Sequence, residues 1–166
     1  MTFKLQADGV LTHDDLCERA ARWLKNTKGC RLVLREVVSY AGETPDAIGW
    51  VASGGWSTLV ECKTSRSDFK ADEKKYCRRS LYSMGQRRFY MTPPGLLNPN
   101  ELPDGWGLLE AGKRKVMVVV EASPRELGAE GYRSELMHMM RGIRMANGED
   151  KFPTKKSAAY VGEAPQ

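Results

Sequence analysis

Glu61, Cys62 and Lys63 stand in a row at the end of an apolar run, Thr58-Leu59-Val60. Asp46 opens a second strand-like run, Ala47-Ile48-Gly49-Trp50-Val51-Ala52, which turns back through Ser53-Gly54-Gly55. Side chains alternate between the faces of a strand. Glu61 and Lys63 therefore share one face, Cys62 points to the other, and a hairpin brings Asp46 beside Glu61. Paired carboxylates suit a hard, oxygen-seeking cation such as Mg²⁺. Such a cation polarises a phosphate and acidifies a bound water. A neighbouring lysine can orient that water or neutralise charge in the transition state. The chemistry this combination could perform is metal-assisted phosphodiester hydrolysis.

Glu-x-Lys alone is a poor motif. It occurs at Glu61/Lys63, at Glu73/Lys75 and at Glu149/Lys151. Only the first follows a β-rich apolar run and has a hairpin partner bearing Pro45-Asp46. In that context the residues resemble the PD-(D/E)XK nucleases, the restriction-endonuclease-like superfamily. The similarity continues through Ser65, Asp68-Phe69, Asp72 and Lys74-Lys75-Tyr76, a pattern similar to that of MmcB-like DNA-repair nucleases. Phe89-Tyr90, Pro93 and the segment Leu102-Pro103-Asp104-Gly105-Trp106-Gly107-Leu108 also fit that branch. The resemblance spans roughly residues 12 to 122.

The resemblance implies roles for individual residues. Asp46 and Glu61 would be metal ligands and Lys63 the catalytic lysine. The backbone carbonyl of Cys62 would complete the metal shell, with its thiol in the core. Glu36, closing Leu32-Val33-Leu34-Arg35, would be a further ligand, and Glu18 a weaker outer candidate. The expected cofactor is Mg²⁺, with Mn²⁺ able to substitute. The expected activity is hydrolysis of DNA in repair, recombination or phage DNA processing. Two alternatives stand beside it: a catalytically inactive nucleic-acid-binding module, and a subunit of a larger DNA-processing complex.

The chain of 166 residues carries a net charge of +5, and distribution matters more than that total. Arg66, Lys70, Lys74, Lys75, Arg78, Arg79, Arg87 and Arg88 face only Asp68, Asp72 and Glu73. A basic helix over 69–84 is predicted to line a groove and meet backbone phosphates, with Ser65, Arg66, Lys70, Lys74, Lys75, Tyr76, Arg78 and Arg79 in contact. The four cysteines show no Cys-x-x-Cys spacing and read as free thiols. His13 and His138 are far apart and read as structural or surface residues. No run is long enough to span a bilayer, and no apolar leader opens the chain. The protein is therefore expected in the cytoplasm with DNA as its partner, as a possible homodimer or with a partner protein.

The elements that must position these residues follow from turn and capping signals. Thr12 caps a helix running to about 25, stopped at Gly29. Strands are predicted over 31–40, 46–52, 56–64, 87–91, 106–111 and 116–122, and a last helix over 130–145. The order αβββαβββα indicates an α/β fold: a mixed central sheet flanked by helices, as in restriction endonucleases. Residues 1–146 would form this domain and residues 147–166 a polar C-terminal tail.

Overall fold

The computed structural model describes residues 10–75 and 80–162. Seven strands form one mixed sheet, in the spatial order β6-β5-β4-β3-β2-β1-β7. They are β1 (Cys30–Arg35), β2 (Ala47–Val51), β3 (Ser57–Cys62), β4 (Arg87–Thr92), β5 (Trp106–Ala111), β6 (Val116–Val120) and β7 (Ala158–Val161). β3, β4 and β5 run parallel, and every other neighbouring pair is antiparallel. Among the described residues, three α-helices flank the sheet: α1 (His13–Asn26), α2 (Arg66–Asp72) and α3 (Ala129–Ala146).

Strand alternation sorts the core into two layers. Val33, Ala47, Val60, Cys62, Phe89 and Met91 face α1, which contributes Leu16, Cys17, Ala20, Trp23 and Leu24. Leu34, Ile48, Leu59, Tyr90 and Leu108 face the other way, toward Phe69 of α2 and Met145 of α3. Gly142 lets α3 approach closely: a Cβ there would sit 2.3 Å from a methyl carbon of Leu34. α1 begins with a capping box in which Thr12 and Asp15 exchange hydrogen bonds with each other's backbone, closing the orphan donors of its first turn.

Three expectations change. β1 stops at Arg35, because Glu36 takes a left-handed conformation (φ +50°) that leaves the extended path. Among the described residues, the basic helix expected over 69–84 is the seven residues of α2, beginning earlier, at a Ser65 cap. It ends where the backbone tightens into i→i+3 bonds, Lys74 N–H to Ala71 O and Lys75 N–H to Asp72 O. Tyr76, Arg78 and Arg79 lie outside the described residues. The expected tail is not a tail throughout, because Ala158–Val161 pairs antiparallel with β1 as β7. Its approach is fastened by Arg35, which donates to Lys156 O, and by the Lys156–Asp14 ion pair at 2.8 Å. No described helix is long and apolar enough to cross a membrane.

Candidate functional site

The β2–β3 register pairs Ala47 with Val60, so Asp46 stands level with Glu61 at one edge of the sheet. Asp46 Oδ2 accepts the Cys62 N–H at 2.7 Å, which fixes the carboxylate against the Glu61–Lys63 triplet. Its other oxygen, Oδ1, lies 3.4 Å from His13 Nε2 at the first turn of α1. The alternation read from sequence holds along β3: Val60 and Cys62 enter the α1 layer and Leu59 the opposite one.

Glu61 and Lys63 are each 3% exposed. Lys63 Nζ lies 3.7 Å from Glu61 Oε2 and 3.0 Å from Asp72 Oδ1. Burial pulls the Lys63 pKa down, but Glu61 and Asp72 outweigh it and leave the group above its ordinary value. Lys63 is therefore a cation at neutral pH, a charge-neutralising and orienting group rather than a base. Asp72 is fully buried at the end of α2. It also meets Lys75 Nζ at 2.9 Å and accepts the Tyr90 hydroxyl at 2.9 Å. Tyr90 is held by stacking on Trp106 and by an edge contact from Phe69. Asp72 thus aims the lysine, a role that its place in the sequence pattern did not reveal.

On the α1 side, His13 is drawn between Asp46 and the Cys17 thiol, 3.5 Å from its Nδ1. The hydrogen bond to Asp46, then that to Cys17, raises the His13 pKa to about 11. A hydrogen bond from Cys62 lowers the Cys17 pKa, while burial holds the Cys62 thiol well above its usual range. Nothing in its spacing marked His13, since its partner lies 33 positions away on another element. The Thr12 cap that starts α1 was the usable signal, because it fixes the helix end that delivers the ring.

The other predicted residues are distributed less simply. Glu36 lies with His13 and Asp14, their ligand atoms within 4.8 Å of one another, and its N–H donates to Asp46 O at 3.2 Å. Asp46 groups with His13 and Cys17 in the same way, and among the described residues no group of three or more metal-capable side chains includes Glu61. Glu18 pairs with Arg35 and Arg22. Ser65 caps α2 by accepting from Asp68 N–H at 3.2 Å. Arg66 grips Glu101 with both terminal nitrogens and so pins the Pro99–Glu101 turn. Lys70 and Lys74 are exposed, and Lys75 is bound to Asp72.

Two carboxylates on neighbouring strands form a hard oxygen donor set. Mg²⁺ is commonly held by one or two protein carboxylates, with substrate phosphate and water filling the other positions. Asp46 and Glu61 are oxygen donors of that kind, the Asp46 carboxylate turned toward His13 and the Cys62 N–H and the Glu61 carboxylate toward Lys63, and both raise the pKa of the Cys62 thiol.

No protein-family model matches this sequence, and no curated protein matches it. In fold the chain is similar to the SPO1766 protein of unknown function from Silicibacter pomeroyi, with a TM-score of 0.61 at 23% identity. That match covers 87% of this chain and 98% of the other. The likeness is one of fold alone.

Proposed function

We propose that this chain is a Mg²⁺-dependent nuclease of the PD-(D/E)XK type, hydrolysing DNA phosphodiester bonds on a restriction-endonuclease-like sheet. The observation that carries the reading is the register that sets Asp46 against Glu61 while Lys63 sits between Glu61 and Asp72. Asp46 and Glu61 would hold the cation, which supplies Lewis-acid polarisation of the phosphate and an acidified water when bound. Lys63 supplies a fixed positive charge beside the reacting phosphate. Asp72 and Tyr90 keep that charge in place before substrate arrives, so no reorganisation is needed during the reaction.

A second reading, a nucleic-acid-binding module without cleavage, draws on the near-complete burial of Glu61 and Lys63. The test is cleavage of labelled single-stranded, duplex and branched DNA with Mg²⁺ or Mn²⁺, comparing wild type with Lys63→Ala and Asp46→Asn. Metal-dependent cutting lost in both variants supports the nuclease. Binding without cutting supports the module. Cutting that survives both substitutions removes the site from consideration.

A further inference from the structure

We propose that the groove between α1 and the β5–β6 turn binds the phosphodiester backbone of DNA and leads it toward the Asp46–Lys63 edge of the sheet. The groove encloses about 390 Å³. Arg19 and Arg22, one helical turn apart, form one wall, and Lys113, Arg114 and Lys115 form the other. Trp23 and Val116 also line it, and no aspartate or glutamate does. Arg22 is paired with Glu18 at 3.6 Å, whereas the three turn residues are exposed.

The turn is presented firmly. Gly112 N–H donates to Lys115 O at 2.9 Å, closing the hairpin, and the Arg19 guanidinium donates to Gly112 O, tying the hairpin to α1. The wall is therefore preorganised, and fewer degrees of freedom are lost when a ligand binds.

Topology sets the groove beside the candidate site. β3, β4 and β5 are parallel, so Cys62, Thr92 and Ala111 end at one edge of the sheet, where β2 begins after Asp46. Neighbouring strands lie about 4.8 Å apart. The turn after β5 is thus roughly 10 Å across the sheet from Glu61–Lys63, a span of a few nucleotides at about 3.4 Å axial rise each. The first half of α1 follows the same edge: His13 reaches Asp46, Cys17 lies near Cys62, and Arg19 reaches Gly112.

The basic stretch after β3 is a weaker candidate for this role. Its Arg66 is committed to Glu101, Lys75 to Asp72, Arg87 to Ala122 O, and Arg88 lies over the Trp106 ring. The ion-paired Arg66 and Lys75 release few counterions from a phosphate backbone, and Arg87 and Arg88, still charged, are held by Ala122 O and the Trp106 ring.

The direction of travel toward the site rests on the nuclease reading, whereas the groove's affinity for DNA does not. The test uses fluorescent duplex DNA and the full chain carrying Glu61→Gln, with affinity measured across a salt series. In that background, Lys113→Ala/Arg114→Ala/Lys115→Ala should weaken binding at least about 10-fold and lower the salt slope by about 2 to 3. Lys70→Ala/Lys74→Ala should change affinity less than about 3-fold. Unchanged affinity or slope in the triple variant would overturn the proposal. So would binding of polyglutamate as tight as that of DNA. Groove-dependent binding by a wild-type chain that cuts nothing would keep the groove and remove the nuclease. Cleavage and binding that both survive loss of the turn cations would do the reverse.

Discussion

The two ends of the parallel strands both bury charge, and they do so differently. At the start of β3 and β4, Glu135 of α3 accepts from Ser57 Oγ (2.7 Å), Gly85 N–H (2.8 Å) and Trp50 Nε1 (3.0 Å). Arg125 beside it donates to the carbonyls of Ser83, Met84 and Gly85. The hydrogen bonds of Glu135 and Arg125 there go to neutral groups, with the charge of Glu43 acting beside them. At the far end of β3, ions face ions: Lys63 lies between Glu61 and Asp72, and Asp72 also holds Lys75. The first arrangement has one low-energy state and serves as structure. The second has more than one partner of each sign, so the loss of one leaves the others paired.

The sharpest test of this contrast sets Glu61→Gln against Glu135→Ala. Glu61→Gln should reduce DNA cleavage by about 10²–10³-fold while moving the urea midpoint little, since Asp72 keeps Lys63 paired. Glu135→Ala strands three buried donors and should lose about 3–5 kcal/mol of stability, with the cleavage rate per folded molecule unchanged. Equal behaviour in both assays would erase the distinction. Asp72→Asn mixes the two effects. It should cost about 3 kcal/mol by leaving buried Lys63 short of a counter-charge and should slow cleavage, both read on one preparation by urea titration and rate.

Acid sensitivity should come from the structural end. His138 is fully buried near Trp50, and neither ring nitrogen has a hydrogen-bond partner among the described residues. Burial, helped by Arg141, holds its pKa at about 4 against an ordinary 6.5. The unfolded chain therefore takes up a proton that the folded chain refuses. Stability present above pH 6.5 is lost as pH falls toward 4, by about 3 kcal/mol in all. His138→Leu should flatten that part of the stability profile, and an unchanged slope would assign the acid loss elsewhere. The smallest effect expected is that of Lys75→Ala. Its side chain is half exposed, so the loss in stability should stay under about 1 kcal/mol.

What could be seen in the sequence was local. The hairpin carrying Asp46 and Glu61 was legible because two apolar runs flank a Ser-Gly-Gly turn. β5 and α1 were legible from strand composition and from the Thr12 cap. What escaped depends on partners distant in the chain. β7 is four residues long and becomes a strand only through β1, more than 120 positions earlier. α2 looked longer because the charged segment from Phe69 to Met84 is closed by Gly85. Instead Asp72, at the helix end, meets a lysine from β3. Asp72 was visible as part of a pattern, but its purpose was not, since the Lys63–Asp72–Tyr90 contact joins three elements.

β7 has a consequence for the order in which the molecule is made. A ribosome delivers it after every other strand and helix described, and domains form from the amino-terminal side during synthesis. Until it docks, β1 presents an open edge able to pair with another chain. Lys156, just ahead of β7, is then not yet in place to tether Asp14 beside His13. The nascent protein thus carries an open β1 edge and a loosely held first turn of α1 at the same moment. One late event closes both, so the finished edge and the fully fastened His13–Asp46 corner arrive together.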